Sequence, residues 1–104
     1  MEKVLVDAFI VPEESREAFL EGARRVQRFL KTLPGFVEGF LLERKDGESR
    51  YNFLTTAVWR DAVAFENAKS TVALEFKKQG FDPQETRRKL KIESVRSTYE
   101  RSPY

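Results

Sequence analysis

The chain contains no cysteine and no histidine. The first absence removes disulfides, thiolate metal centres and a cysteine nucleophile together. The second excludes more chemistry, because imidazole is the usual general base near neutral pH and the commonest protein ligand for zinc or haem iron. A serine–histidine triad is impossible. No apolar run approaches the roughly 20 residues that a bilayer crossing needs, and the opening "MEKVLVDAF" lacks the basic-then-apolar layout of a signal peptide. A cytoplasmic location without a membrane partner is the expectation. Lys and Arg number 19 against 17 Asp and Glu, a balance that asks for no nucleic acid. P-loop, dinucleotide fingerprint and metal-ligand spacing are all missing, so the residues call for neither a metal nor a cofactor.

What is present reads as one globular domain spanning residues 1–104, with 40% hydrophobic and 35% charged side chains, far from a disordered composition. "VLVDAFIV", Val4 to Val11, is β-branched and aromatic, and Pro12 closes it as a first strand. From Glu13 the period changes: Phe19, Ala23, Val26, Leu30 and Leu33 recur at three and four, with Arg24, Arg25, Gln27 and Arg28 on the other face. "LPGF", Leu33 to Phe36, stops that helix. "FVEGFLLER", Phe36 to Arg44, and "RYNFLTTAVW", Arg50 to Trp59, flank Asp46-Gly47 and predict an antiparallel hairpin. Asp61 caps a long second helix ending at Gln79-Gly80, "DPQE" starts a short third one, and "IESVRSTY" supplies a last strand.

This order is that of a ferredoxin-like α+β fold, βαββαβ, with a four-stranded antiparallel sheet and helices on one side. A one-sided sheet should alternate apolar and polar residues. Here the first strand sets Val4, Val6, Ala8 and Ile10 on one parity and Leu5, Phe9 and Val11 on the other. Both faces ask for burial, which predicts a homodimer packed sheet to sheet. An RNA-recognition module shares the element order, but "RYNFLTTAVW" lacks the Gly-rich aromatic strand that such modules use.

The only tryptophan, Trp59, sits where the third strand meets the second helix, followed by the capped "DAVAF". Together with the "LPGF" break and the element order, this seam resembles the antibiotic biosynthesis monooxygenase domain, a dimeric α/β-barrel family, from about Val4 to Tyr99. The resemblance implies a cavity between helices and sheet with Trp59 lining it. It also implies either oxidation of aromatic compounds without metal or flavin, or haem degradation. Where the first branch has an asparagine and a tyrosine around the tryptophan, this chain has Thr55 and Phe65. The second branch has a histidine iron ligand where Lys69 stands and an asparagine near Asp7, so haem degradation of that type is not expected.

Six residues form the candidate site. Trp59 is a core plug or, by the resemblance, a wall for a flat aromatic ligand. Asp7 interrupts an apolar strand, and a buried carboxylate is costly unless paired; it either bonds an arginine such as Arg96 or acts as general base toward a phenol. Thr55, Asn52, Phe65 and Arg96 are the candidate substrate contacts. The leading expectation is a cofactor-independent monooxygenase for a small aromatic or quinol-like compound. A non-catalytic carrier of a small apolar ligand, or a structural module closed by Phe65, Phe76 and Trp59, are the alternatives. The basic clusters Arg24-Arg25, Lys77-Lys78 and Arg87-Arg88-Lys89 read as solvated helix faces.

Overall fold

A computed structural model describes residues 1–103. The strands are β1 (Lys3–Ile10), β2 (Phe36–Glu43), β3 (Phe53–Trp59) and β4 (Glu93–Tyr99); the helices are α1 (Arg16–Leu30), α2 (Ala62–Lys78) and α3 (Pro83–Lys89). All strand pairs are antiparallel, in the order β2-β3-β1-β4. That is the ferredoxin-like topology the element order predicts. The Cα envelope is only 18 Å deep against 40 and 38 Å in the other directions, the thickness of one sheet carrying one layer of helices.

Local chemistry explains most boundaries. Pro12 and the acidic Glu13 and Glu14 open a 3-10 turn, Glu13–Ser15, before α1 proper begins. Asp61 is extended and its Oδ1 accepts from the Ala64 N–H at 2.8 Å, a bond that holds this carboxylate below its usual range. Asp82 accepts from the amides of Gln84 and Glu85, with Pro83 at the first helical position. The buried Ser15 hydroxyl donates to the Leu90 carbonyl at 2.7 Å and ties α3 to the start of α1.

Two details depart from the pattern. The third strand starts at Phe53, not at Arg50, and residues 44–52 form a broad loop instead of a two-residue turn. Asn52, read as a substrate contact, has another task here. Its Nδ2 donates to the Val11 carbonyl and its Oδ1 accepts from the Val11 N–H, both at 2.9 Å, so the side chain adds a rung to the β1–β3 ladder. Asn52 thus has a structural role at the end of β3, which uses one donor and one acceptor site of its amide.

The core lies between the helices and one face of the sheet, in two clusters. One gathers Val11, Phe19, Leu20, Phe53 and Ile92; the Phe19 ring lies 4.9 Å from Phe9 in a T-shaped pair and 4.8 Å from Phe53 in a tilted one, centroid to centroid. The other gathers Ala57, Trp59 and Ala68, with Leu5, Leu30, Leu33, Phe36 and Phe65 around them.

Candidate functional site

Side chains alternate along a strand. Leu5 and Phe9 pack into the helix-side clusters, so Asp7 between them points to the same side. Phe53 and Ala57 place Thr55 likewise. Strand register then sets Leu41 opposite Thr55, Thr55 opposite Asp7, and Asp7 opposite Arg96. The result is a mostly polar row across the sheet. It runs between the two apolar clusters, with Phe53 and Phe9 on one flank and Ala57 and Leu5 on the other.

Within this row Arg96 grips Asp7 with two parallel bonds, Nε to Oδ1 at 2.8 Å and Nη2 to Oδ2 at 3.1 Å. This bidentate fork is the strongest neutralisation available to a carboxylate in an apolar strand. The Asp7 side chain is 15% exposed and that of Arg96 66%. The hydrogen bond from Arg96 to Asp7, and then their mutual attraction, hold the Arg96 guanidinium above its ordinary range against desolvation. The salt-bridge reading of Asp7 therefore matches the geometry. The Thr55 hydroxyl is half-buried and accepts or donates no bond among the described residues. β4 is exposed along nearly its length, so the row opens sideways past Arg96.

Trp59 stands apart from that opening. It is 2% exposed, with Phe36 edge-on at 5.4 Å and small Ala57 and Ala68 letting α2 close over the indole. No hollow of a few hundred Å3 bordered by Trp59 is found among the described residues: the indole is enclosed. Two shallow depressions occur elsewhere, of about 160 Å3 beside Leu33, Arg60 and Val63, and about 210 Å3 beside Leu42, Tyr51 and Leu54. Neither touches Asp7, Thr55, Phe65, Trp59 or Arg96. Phe65 flanks the Trp59 cluster, and its ring lies 5.3 Å below Lys69 Nζ. Lys69 in turn pairs with Glu66 at 3.2 Å.

One residue was missed by periodicity. Gln27, placed by its polarity on the solvent face of α1, turns toward the sheet, and its Nε2 donates to the Thr56 carbonyl at 3.4 Å. Its spacing of four from Ala23 and three from Leu30 was the available signal. Among the described residues there is no group of three or more acidic side chains placed to hold a metal ion.

The fold and site define a class: a ferredoxin-like α+β subunit whose helix-side sheet face carries a polar row between apolar walls. The chain belongs to the antibiotic biosynthesis monooxygenase family, whose sequence profile matches residues 4–77, from β1 through α2. Among solved structures it is similar to SnoaB, a cofactor-independent oxygenase from Streptomyces nogalater, at 27% identity over 99% of this chain and 95% of that one, TM-score 0.71. An antibiotic biosynthesis monooxygenase homologue from Deinococcus radiodurans shares the fold at 14% identity, over 100% and 95% of the two chains, TM-score 0.73. A heme-degrading protein from Mycobacterium tuberculosis shares it at 22% identity, over 66% and 78%, TM-score 0.59. No curated protein sequence matches significantly.

Proposed function

We propose that this protein is a cofactor-independent monooxygenase for a small aromatic or quinol-like substrate, working as a homodimer. The observation that carries the reading is the row Thr55–Asp7–Arg96, polar groups set between two apolar walls and open at one side. In this reading a flat ring lies along the row, its oxygen toward Arg96. Likeness to a cofactor-independent oxygenase supports the chemistry.

The substrate itself supplies the electrons. A ring CH2 conjugated with a carbonyl loses one proton to water to give an enolate; the carbanion carbon bonds O2 and takes a proton back as the hydroperoxide; this then loses water to leave C=O. One oxygen atom is retained and the other departs as water, so R2CH2 + O2 gives R2CO + H2O. The protein must favour the anion. Arg96 suits this because a guanidinium held in place by Asp7 stabilises developing negative oxygen. Asp7, read from the sequence as a general base, is better cast as the group that orients Arg96, because both its oxygens already accept from the guanidinium. Thr55 adds a hydroxyl with no partner among the described residues, and Phe65 an apolar edge.

Oxygen uptake with a panel of anthrones and hydroquinones tests this. Wild type should exceed autoxidation, and Arg96→Leu should lower kcat/KM about 100-fold, the usual loss for an oxyanion-stabilising donor. Uptake no faster than autoxidation across the panel, or an unchanged Arg96→Leu, refutes the proposal. A second reading, a non-catalytic carrier, is favoured by the replacement of the family's asparagine and tyrosine with Thr55 and Phe65; ligand-dependent thermal shifts without turnover would select it.

The dimer rests on the other side of the sheet. Phe40 and Tyr99 there are 51% and 55% exposed, and Leu42 and Val95 are exposed beside them. Single exposed apolar residues are ordinary, but a contiguous sheet face of them marks an interface. A second copy presenting the same face covers it with two-fold symmetry. Light scattering should give twice the chain mass, and Phe40→Glu with Val95→Glu should halve it. A monomeric wild type at micromolar concentration ends the dimer proposal.

A further inference from the structure

We propose that Gln27 is a specificity-determining residue of this site, reading a hydroxyl on the end of the ligand remote from Arg96. The inference deepens the proposed oxygenase site and rests on that reading. It begins with a cost: an amide on the inward stripe of a helix stabilises less than Ala or Leu would, unless its polar atoms are used. Gln27 uses one of them, the long 3.4 Å bond from Nε2 to the Thr56 carbonyl. Its Oε1 receives no donor among the described residues, yet it is not sealed from solvent.

A second sequence choice makes room for this amide. Gly39 lies in the interior of β2, where glycine weakens a strand. A Cβ there would stand 2.7 Å from Gln27 Oε1, 2.8 Å from the Thr56 carbonyl oxygen and 3.1 Å from the Phe36 ring. The Thr56 backbone already asks for glycine at this point, and the missing side chain also lets the amide lie down on the sheet.

The position matters. Gly39 pairs with Ala57, one step along the sheet from the Leu41–Thr55–Asp7–Arg96 row. Gln27 reaches the sheet at β3, whereas Arg96 rises from β4 with β1 between them. Two strand spacings of about 4.8 Å separate them, about 10 Å in all. That span suits a fused-ring aromatic with an acidic oxygen at the Arg96 end and a hydroxyl donor at the other. Gln27 touches ligand; it takes no part in oxygen transfer.

The test compares 1-naphthol with 1,5-dihydroxynaphthalene by isothermal titration calorimetry. The two probes share a frame and differ by the second hydroxyl. Wild type should prefer the dihydroxy compound about tenfold, the value of one well-made hydrogen bond. Gln27→Met, unbranched and of equal length, should bring the preference to within about twofold and leave 1-naphthol affinity unchanged. Gln27→Glu, which keeps an acceptor at the same reach, should retain it. A preference undiminished in Gln27→Met overturns the role of Gln27 and leaves the oxygenase reading standing. Failure of wild type to bind either probe overturns both.

Discussion

Replacing Trp59 by alanine should lower the unfolding free energy by about 3–5 kcal/mol, the range for deleting a large buried aromatic. The indole is 2% exposed and surrounded by Leu5, Leu30, Leu33, Phe36, Phe65 and two alanines. The space left behind cannot close easily, because the strand end is pinned: the Arg60 N–H donates to the Gly35 carbonyl at 2.8 Å, and Asp61 caps the helix that begins next. Against a total stability of about 5–15 kcal/mol for a domain of this size, the loss is large. Urea unfolding would measure it. A loss below about 1 kcal/mol would mean that the indole borders open space, and Trp59 would return to the list of ligand walls. The expected result instead makes it the plug on which the seam between β3 and α2 is built.

Gly35→Ala should cost nearly as much, from two independent causes. Gly35 has φ of +82°, where an L side chain is strained by about 1–2 kcal/mol. Its added Cβ would also stand 2.3 Å from the Ala64 Cβ in the first turn of α2, an overlap that must push the helix away. Overpacking of that kind costs a further 1–3 kcal/mol or so. Gly47 separates the two causes: its φ is +102°, but nothing lies within 4 Å of a Cβ built there. Gly47→Ala should therefore lower the melting temperature by several degrees, and Gly35→Ala by more than about 10 °C. Ala64→Gly in the Gly35→Ala background should recover only the steric share. Equal losses at the two glycines would show that Ala64 does not press on Gly35, and the account of how α2 seats over Trp59 would fail.

These two effects meet at one place. The "LPGF" break does more than end α1: Gly35 lets α2 approach, Arg60 closes the turn, and the approach seals Trp59. The polar row escapes that sealing because it lies at Thr55 and Asp7, further along the sheet, where the two apolar clusters part. Core packing and the polar row are thereby carried by different residues of the same sheet face.

The element order, the caps at Asp61 and Asp82, the helix break at Gly35 and the two-faced strands were legible in the sequence, because each depends on the chemistry of a few neighbouring residues. So was an anomaly at Asp7, since a carboxylate in an apolar strand needs a partner. What the sequence left open depends on distance across the fold. Arg96 could be named from the sequence as a partner for Asp7, but the two-bond fork between them exists only because antiparallel register sets the two side by side, 89 positions apart. That the Asn52 amide bonds the Val11 backbone likewise depends on a neighbour 41 positions away. Gln27 looked solvated because its polarity was weighed and its helical phase was not; only the gap left by Gly39 on another strand shows why an amide points inward. Periodicity and capping are short-range and determine which segments become strands and helices. Whether a side chain then fills a core, bonds a backbone or faces a ligand is set by what the register brings opposite it, and that was decided by the tertiary structure alone.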